Sequence, residues 1–278
     1  MLSILTIVSL AHAGNLDPSS MGDWNGTEYT KQSAIQTGFG VVSKQLGLAI
    51  ANKPQGITSM GLHGFEMSLH NTIAMIDSKA YPDGSPSPWN LAFTTEEAPP
   101  ALWLPTINVS KGFPLSIEVG LRTGIVYKDT GSLFGSYIRC SPIEGYNKAP
   151  DLTFQVGYAG YIGNSDMAVG TMDASATLGK AIPFGPMQGV HSAVIRPYVA
   201  SAMYWVRSDP RLTEKETDQL GLTPVSAFKK SDYYTDGYRL LSIDGGVEIE
   251  NNEFIFGFAA SYSPGNLLSF QQNFGFSF

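Results

Sequence analysis

The sequence has few charged side chains, since Asp, Glu, Lys and Arg make up only 15% of its 278 residues. A soluble helical enzyme usually carries more Glu and Lys. Intrinsic disorder requires low hydrophobicity and high charge, whereas 43% of these residues are hydrophobic and the formal net charge is -7. The composition, rich in Gly and aromatic residues, therefore argues against both classes.

Basic clusters and cysteine pairs are also missing. Without clustered Lys and Arg, nucleic acid is not expected as a partner. Cys140 is the only cysteine, which excludes an intrachain disulfide and a cysteine-based metal site. No metal or other cofactor is predicted.

No apolar run is long enough for a transmembrane helix, which needs about 20 residues. The chain opens with an apolar run over residues 2–10, and Ala11-His12-Ala13 has the small-x-small form of a cleavage site. We expect a signal peptide over residues 1–13. Its basic segment is missing, which is consistent with a misassigned start codon. The alternative is a buried N-terminal strand or helix.

One helix is predicted over residues 29–51, weakened by three glycines and ended by Asn52-Lys53-Pro54-Gln55-Gly56. Apolar residues recur there every three or four positions and so share one helix face: Ile35, Phe39, Val42, Leu46 and Ile50.

From about residue 60 onwards, apolar residues alternate with small or polar ones in segments of about ten residues. This pattern predicts strands and is typical of a transmembrane barrel, with apolar side chains toward lipid and polar ones toward the lumen. Cys140 is expected on the face toward lipid or the periplasmic interface. We predict an all-β antiparallel barrel of about ten strands (range 8–12) with an N-terminal amphipathic helix. The predicted strands cover residues 60–76, 102–110, 115–126, 132–141, 152–162, 168–182, 193–207, 238–250, 254–262 and 267–278.

A soluble β-sandwich would show the same alternation, but three features favour a barrel. Long connections follow the first and seventh predicted strands and tight turns follow the second and eighth, which is the parity that a barrel requires. The polar faces are rich in Gly, Ser, Thr and Ala. Aromatic residues lie near strand ends, as in interfacial girdles: Trp103, Tyr127, Tyr161, Trp205 and Tyr262. Since lipid cannot satisfy a free strand edge, such a sheet must close.

The last predicted strand carries alternating aromatics, Phe274, Phe276 and the terminal Phe278. With the signal peptide and the preceding strands, it resembles the C-terminal signature of bacterial outer-membrane β-barrel proteins, a porin-like superfamily, over roughly residues 60–278. Gln272 departs from the apolar series. The resemblance implies an outer-membrane location, outer-membrane lipid as surroundings, and assembly machinery that reads these three aromatics.

The chain is thereby divided into a signal peptide (1–13), an N-terminal segment with the helix (14–56) and the barrel (57–278). The helix has three possible positions, which are the lumen, the periplasmic mouth and the membrane surface. Its glycines allow close packing, which favours the lumen or the mouth. The arrangement is loosely similar to that of fatty-acid-transporter-like barrels, whose N-terminal segment plugs the lumen, although those barrels have more strands.

The inward faces of the predicted strands carry eight ionisable residues. Two of them that are four positions apart on one strand, such as Glu118 and Arg122, lie about 13 Å from each other and cannot pair directly. They can pair with residues on neighbouring strands. In a narrow barrel the eight form either a structural ion-pair network or a charged constriction that selects a solute. They are Glu66, His70, Glu118, Arg122, Arg139, Asp173, Asp244 and Glu248.

An enzyme is not expected. The long loops contain no His, and a phospholipase-like Ser–His pair would need a His on the lipid-facing rim, whereas His70 lies in mid-barrel. The sequence predicts an outer-membrane channel or transporter for small molecules, occluded or gated by its N-terminal helix. The alternative is a non-transporting structural or ligand-binding barrel that acts through its extracellular loops.

Overall fold

The computed structural model describes residues 16–23, 28–56, 64–79, 86–93, 97–127, 129, 131–144, 149–184, 193–226, 239–251, 253–265 and 267–278. The predicted signal peptide and parts of several connections lie outside these ranges. Among the described residues, no helix is both long and apolar enough to cross a membrane.

Ten long antiparallel strands form one closed barrel, as predicted. Two short strands, β7 (Ile182–Phe184) and β9 (Val225–Ser226), pair with the long strand β8. The long strands are β1 (Phe65–Met75), β2 (Ala101–Phe113), β3 (Ile117–Ile125), β4 (Ser132–Ile143), β5 (Asp151–Ile162), β6 (Met167–Gly179), β8 (Ala193–Pro210), β10 (Arg239–Asn251), β11 (Phe254–Ser263) and β12 (Leu267–Ser277).

Each long strand pairs with the next one along the chain, and β12 pairs with β1 to close the ring. The register of this seam runs from Glu66 opposite Ser277 to Met75 opposite Leu268. At its end, the amides of Phe65 and Phe278 each donate to the other's carbonyl, at 3.0 and 2.8 Å. Closure satisfies backbone groups that lipid could not.

The predicted two-residue alternation is present on the strands. On β1, Met67, Leu69 and Ile73 are exposed on the outer surface, whereas His70 and Thr72 are buried inside. On β4, Cys140 shares the outward face with the exposed Phe134 and Ile138. Since successive side chains point to opposite faces of a strand, the outer surface is apolar and the inner one mixed.

Several predicted strand boundaries need correction. The third strand begins at Ile117, because Leu115 and Ser116 have φ angles of 65° and 54° in the preceding turn, which an extended strand does not allow. The sixth ends at Gly179, and Ile182 belongs to β7. The seventh continues to Pro210. Residues 60–63 and 238 of the predicted strands lie outside the described ranges.

In the described part of the chain, four helices accompany the barrel: a 3-10 helix (Pro18–Asp23), α1 (Glu28–Ile50), α2 (Pro88–Ala92) and α3 (Glu214–Leu220). The predicted N-terminal helix is confirmed as α1. It ends at Ile50, one residue earlier than predicted.

The two ends of the barrel differ. At the loop end, the connections span 76–100, 126–131, 163–166, 211–238 and 264–266. At the turn end, they span 114–116, 144–150, 180–192 and 252–253, and this is also where β1 begins and β12 ends. The two longest connections therefore share one end, in agreement with the predicted parity.

Candidate functional site

The lumen of the barrel is the candidate site, and its wall changes character along the axis. Toward the loop end, the inward side chains are mostly apolar and buried, and they pack into one core cluster. They include Ala74, Leu102, Leu104, Leu133, Tyr161, Val169, Tyr204, Val206, Leu240 and Leu267. This half of the lumen is therefore built like the interior of a soluble protein.

Toward the turn end and in the middle, the inward side chains are polar or ionisable. All eight residues predicted to face the lumen lie here, on β1, β3, β4, β6 and β10. Arg196 on β8 joins them, and sequence reasoning missed it although its alternation with Tyr198 and Ala200 places it inside.

Helix α1 fills the apolar half. Phe39, Val42 and Leu46 are at most 1% exposed and belong to the same core cluster as the wall. Gly47 makes the closest approach, since a Cβ there would lie 2.7 Å from Cγ1 of Val206. The hydroxyl of Thr171 donates to the Gly47 carbonyl at 3.0 Å. From Ile35 to Ile50 the helix is therefore tightly packed against the wall.

Residues 51–56 continue from α1 through the polar half. Arg122 donates to the Ala51 carbonyl at 2.9 Å, and Arg139 donates to the Gly56 carbonyl at 3.1 Å. An extended segment has no internal hydrogen bonds, so wall side chains supply the partners that its backbone needs. The pentapeptide Asn52–Gly56, predicted only as a helix terminator, is therefore the main partner of the polar wall.

Asn52 is the most heavily bonded residue of this segment. Its Nδ2 donates to Oδ2 of Asp173 at 3.0 Å and to the carbonyls of Ser136 and Tyr158, both at 3.1 Å. The inward glycines Gly135 and Gly157 make room for it, because a Cβ at either would lie within 2.6 Å of the amide. The wall is therefore shaped around this one side chain.

Lys53 carries a positive charge into the same half. Its Nζ lies 3.4 Å from the hydroxyl of Ser261 and 4.8 Å from the centre of the Tyr204 ring. The ring face supplies a cation–π contact, so the ammonium group has partners on two sides of the lumen.

The predicted cross-strand ion pairing is present for Glu118, whereas Arg122 bonds the Ala51 carbonyl instead. Arg139 on β4 and its register partner Glu118 on β3 form an ion pair at 2.6 Å. Arg196 pairs with Glu248 at 3.2 Å and also contacts Glu250. These pairs link neighbouring strands around the segment.

The remaining predicted residues bond within the wall. The hydroxyl of Ser68 contacts Glu66 at 3.0 Å and Nε2 of His70 at 2.8 Å. Nδ1 of His70 faces the Gln271 amide at 2.5 Å. Asp244 accepts from Ser242 on its own strand at 2.6 Å. The carboxylate of Glu66 therefore contacts the serine and not the imidazole, so these three residues do not form a nucleophile–base–orienter triad.

The direction in which α1 and residues 51–56 cross the lumen follows from their contacts. In the first half of α1, Gln36 exchanges hydrogen bonds with the backbone of Thr223 in a loop-end connection. At the other end of the segment, Gly56 lies against Glu248 near the turn end. The chain therefore enters at the loop end, crosses the lumen and reaches β1 at the turn end.

Residues 16–23 lie at the loop end, over the mouth of the barrel. The amide of Asp17 donates to the Ala92 carbonyl, and the side chain of Asn164 donates to the Leu16 carbonyl, both at 2.8 Å. Trp89 of α2 is fully buried and donates to Gln45 of α1 at 2.5 Å. These contacts define a loop-end cap made of residues 16–23 and α2.

Helix α3 stands beside this cap in the connection between β8 and β10. Thr213 and Glu216 form a reciprocal capping box at its N-terminus. Hydrogen bonds from the Thr213 side chain and backbone hold the pKa of Glu216 below its ordinary value. The helix ends at Leu220 and is capped by Gly221, whose φ of 64° suits glycine.

Exposed large apolar side chains cover much of the outer surface of the barrel. Large contiguous apolar patches are rare on soluble monomers and mark contact with a partner or a membrane. Near the loop end, the rings of Trp103 and Tyr127 are tilted by 60° to each other, with their centres 5.0 Å apart. Near the turn end, Phe254 and Phe276 lie 4.9 Å apart. The closed wall, apolar outside, is that of a membrane barrel.

Comparison with known proteins yields similarity of fold only. No family model matches the chain, and no curated protein matches it. The transport unit of the autotransporter AIDA-I from Escherichia coli is 7% identical, with 86% of this chain and 97% of that chain covered and a TM-score of 0.36. Neisserial surface protein A is 11% identical, with 77% and 95% covered and a TM-score of 0.26. The attachment invasion locus protein Ail of Yersinia pestis is 9% identical, with 78% and 99% covered and a TM-score of 0.24. All three are outer-membrane β-barrels.

Proposed function

We propose that the protein is an outer-membrane channel that is closed at rest by its own residues 34–56 and passes small solutes only when this segment moves. The observation that carries the proposal is the continuous occupation of the lumen, by α1 in the apolar half and by residues 51–56 in the polar half. Among the described residues, a cavity beside Pro54, Tyr198 and Glu248 measures only about 10 Å³, which suits one water molecule.

The polar half supports a solute path better than a purely structural core would. Charged side chains are costly to bury, and a wall needed only for rigidity could be apolar, as the loop half is. The polar half of the wall includes six carboxyl groups and three guanidinium groups: Glu66, Glu118, Asp173, Asp244, Glu248 and Glu250, with Arg122, Arg139 and Arg196. Departure of Lys53 would add to the acidic excess, so the open lumen is expected to favour cations.

Single-channel recording in a planar bilayer tests this proposal. The protein from Gly14 to Phe278 is compared with a variant that begins at Gln55. A heat-dependent gel shift verifies that both are folded barrels. We expect rare, small openings from the first and a clear rise in conductance with cation preference from the second. Two folded proteins that both fail to conduct would contradict the channel.

A second candidate is a non-transporting barrel that acts through its loop end. The observation that favours it is the built cap, in which Leu16 pairs with Phe93 and Asn164 bonds the Leu16 carbonyl. Because long loops of such barrels face the cell exterior, the cap would be available to an extracellular ligand. Ligand binding without conductance would support this role.

We also propose that assembly machinery reads β12. Phe274, Phe276 and Phe278 are all exposed on the outer surface, where an assembly factor could contact them before lipid does. Replacing Phe278 with Ser is expected to reduce the amount of folded barrel in cells while leaving refolding in detergent largely unchanged. Equal losses in both settings would indicate a purely structural role. No catalytic activity is proposed.

A further inference from the structure

The outer surface carries a groove of about 420 Å³ across β5, β6 and β8, toward the loop end. Its floor is made by Gly160 and Gly170, which are paired across β5 and β6. Ile162 and Ala168 continue the lining toward the loop end. Its volume falls within the range of small-molecule pockets, although it faces outward from the membrane-spanning wall.

A row of larger side chains bounds the groove on the side of the membrane centre. Tyr158, Met172 and Trp205 are consecutive register partners on the three strands. The hydroxyl of Tyr158 leans over the floor, because a Cβ at Gly170 would lie 2.8 Å from it. Tyr and Trp favour the boundary between lipid and water, so the groove opens at that boundary.

Two cations lie on the other side of the groove, Arg207 and Arg211. Asp209 accepts from Nε of Arg207 at 2.9 Å, and the Arg207 side chain remains 66% exposed. That contact engages one of the three guanidinium nitrogens, so the others remain able to bind an anion in the bidentate manner that suits phosphate. A ligand that fits must therefore join an apolar body to an anionic head.

We propose that this groove, defined by Gly160, Gly170, Trp205, Arg207 and Arg211, binds a phosphate-bearing lipid of the leaflet at the loop end. An acyl chain lies over the glycine floor and along the Tyr158 and Trp205 rings, and the phosphate meets the two arginines. The proposal rests on the barrel spanning a membrane and is independent of whether the lumen conducts.

The test is native mass spectrometry of the full chain released from detergent micelles. Dioleoyl phosphatidylglycerol, which carries an anionic phosphate, is compared with dioleoylglycerol, which has the same acyl chains and no phosphate. We expect one tightly held phosphatidylglycerol and at least about tenfold weaker retention of dioleoylglycerol, since one charge-assisted hydrogen bond contributes at least about that factor.

Two variants separate the groove from the general lipid surface. Gly160→Leu fills the floor, and its Cβ meets Tyr158 at an ordinary 3.5 Å, so the barrel should fold. Ala174→Leu is the matched control, since Ala174 is another small residue on the outward face of β6, outside the groove. We expect Gly160→Leu to abolish the tightly held lipid and Ala174→Leu to retain it.

The headgroup contact is tested by Arg207→Gln with Arg211→Gln, against the exposed Lys215→Gln of α3 as a charge control. The double variant should lose its preference for phosphatidylglycerol, while Lys215→Gln keeps it. Equal retention of both lipids by the wild type, or an unaffected Gly160→Leu, would overturn the proposal. Displacement of the lipid by millimolar inorganic phosphate would also overturn it, because the site would then select a free anion.

Discussion

The amide of Asn52 donates to the carboxylate of Asp173 at 3.0 Å, which joins the N-terminal segment to β6 in the middle of the lumen. Removing it with Asn52→Ala leaves Asp173 with a weaker contact from Gln155, at 3.5 Å. A hydrogen bond to a charged group contributes about 1.5–3 kcal/mol, so we expect openings about ten to one hundred times more frequent. Single-channel recording measures this frequency.

Gln36→Ala serves as the control for that variant. Gln36 also bonds the segment to another part of the chain, at Thr223, but in an exposed position at the loop end. Its loss should change the opening frequency by only a few fold. If the opening frequency of Gln36→Ala equalled that of Asn52→Ala, the contacts that keep the channel closed would lie at the loop end and not in the polar half.

Gly47→Ala is expected to lower the stability of the barrel by about 1–3 kcal/mol. The helix itself would gain from alanine, but the new methyl group would lie 2.7 Å from Val206. Val206→Ala should relieve this clash, so the double variant is expected to lose less unfolding free energy than the two single variants lose together. Urea unfolding of the refolded proteins gives the unfolding free energies of the wild type, the two single variants and the double variant.

Gly38→Ala is the matched control, because a Cβ at Gly38 would meet Pro88 at an ordinary 3.4 Å. This substitution should leave stability unchanged or raise it. A loss equal to that of Gly47→Ala would mean that glycine is needed for the backbone of α1 and not for its contact with β8.

The N-terminus should be accessible from the side of the long loops. An epitope placed just before Leu16 is expected to bind antibody on intact cells, as should one at the exposed Thr223, whereas one at Leu115, 85% exposed in a turn-end connection, should bind only after permeabilisation. Labelling at Leu115 alone would mean that the barrel is inverted. Labelling at Thr223 without the N-terminal epitope would mean that the segment does not cross the lumen.

The stability of α3 should depend on pH through Glu216. Its pKa is lowered by the hydrogen bonds from Thr213, so the stabilisation is complete above the ordinary glutamate pKa and is lost as pH falls through the lowered one. Amide hydrogen exchange of residues 214–220 should accelerate over that acidic range. Thr213→Ala should weaken this pH dependence without abolishing it, because the backbone amide of residue 213 still donates to Glu216. Glu214→Gln, whose carboxylate does not join the capping box, should preserve it in full.

The barrel could be predicted from the sequence because its signal is local. Strand alternation, strand number and the parity of long connections depend on residues close together in the chain, such as Met67 and Leu69 outside with Ser68 and His70 inside. The strand limits failed where backbone dihedrals decide, as at Leu115, since a positive φ is not visible in a hydrophobic pattern.

The contents of the lumen were harder to predict because they depend on contacts between distant residues. Asn52 bonds residues 84 to 121 positions away, and no periodicity links them. The division into an apolar and a polar half was also missed, since Val206 and Arg196 follow the same alternation on β8. The inward glycines at 135 and 157 were visible, but their purpose requires the position of the Asn52 side chain.

The continuous seam between β1 and β12 has a consequence for biogenesis. Helix α1 has 23 residues and is about 35 Å long, and its buried part, from Ile35 onwards, lies inside a ring whose every long strand is bonded to two neighbours. Late entry would require the N-terminal end to be drawn through a lumen that it fills tightly. The simpler order is that the strands assemble around the helix and the β1–β12 seam forms last. The helix that closes the lumen would then also guide the folding of the barrel around it.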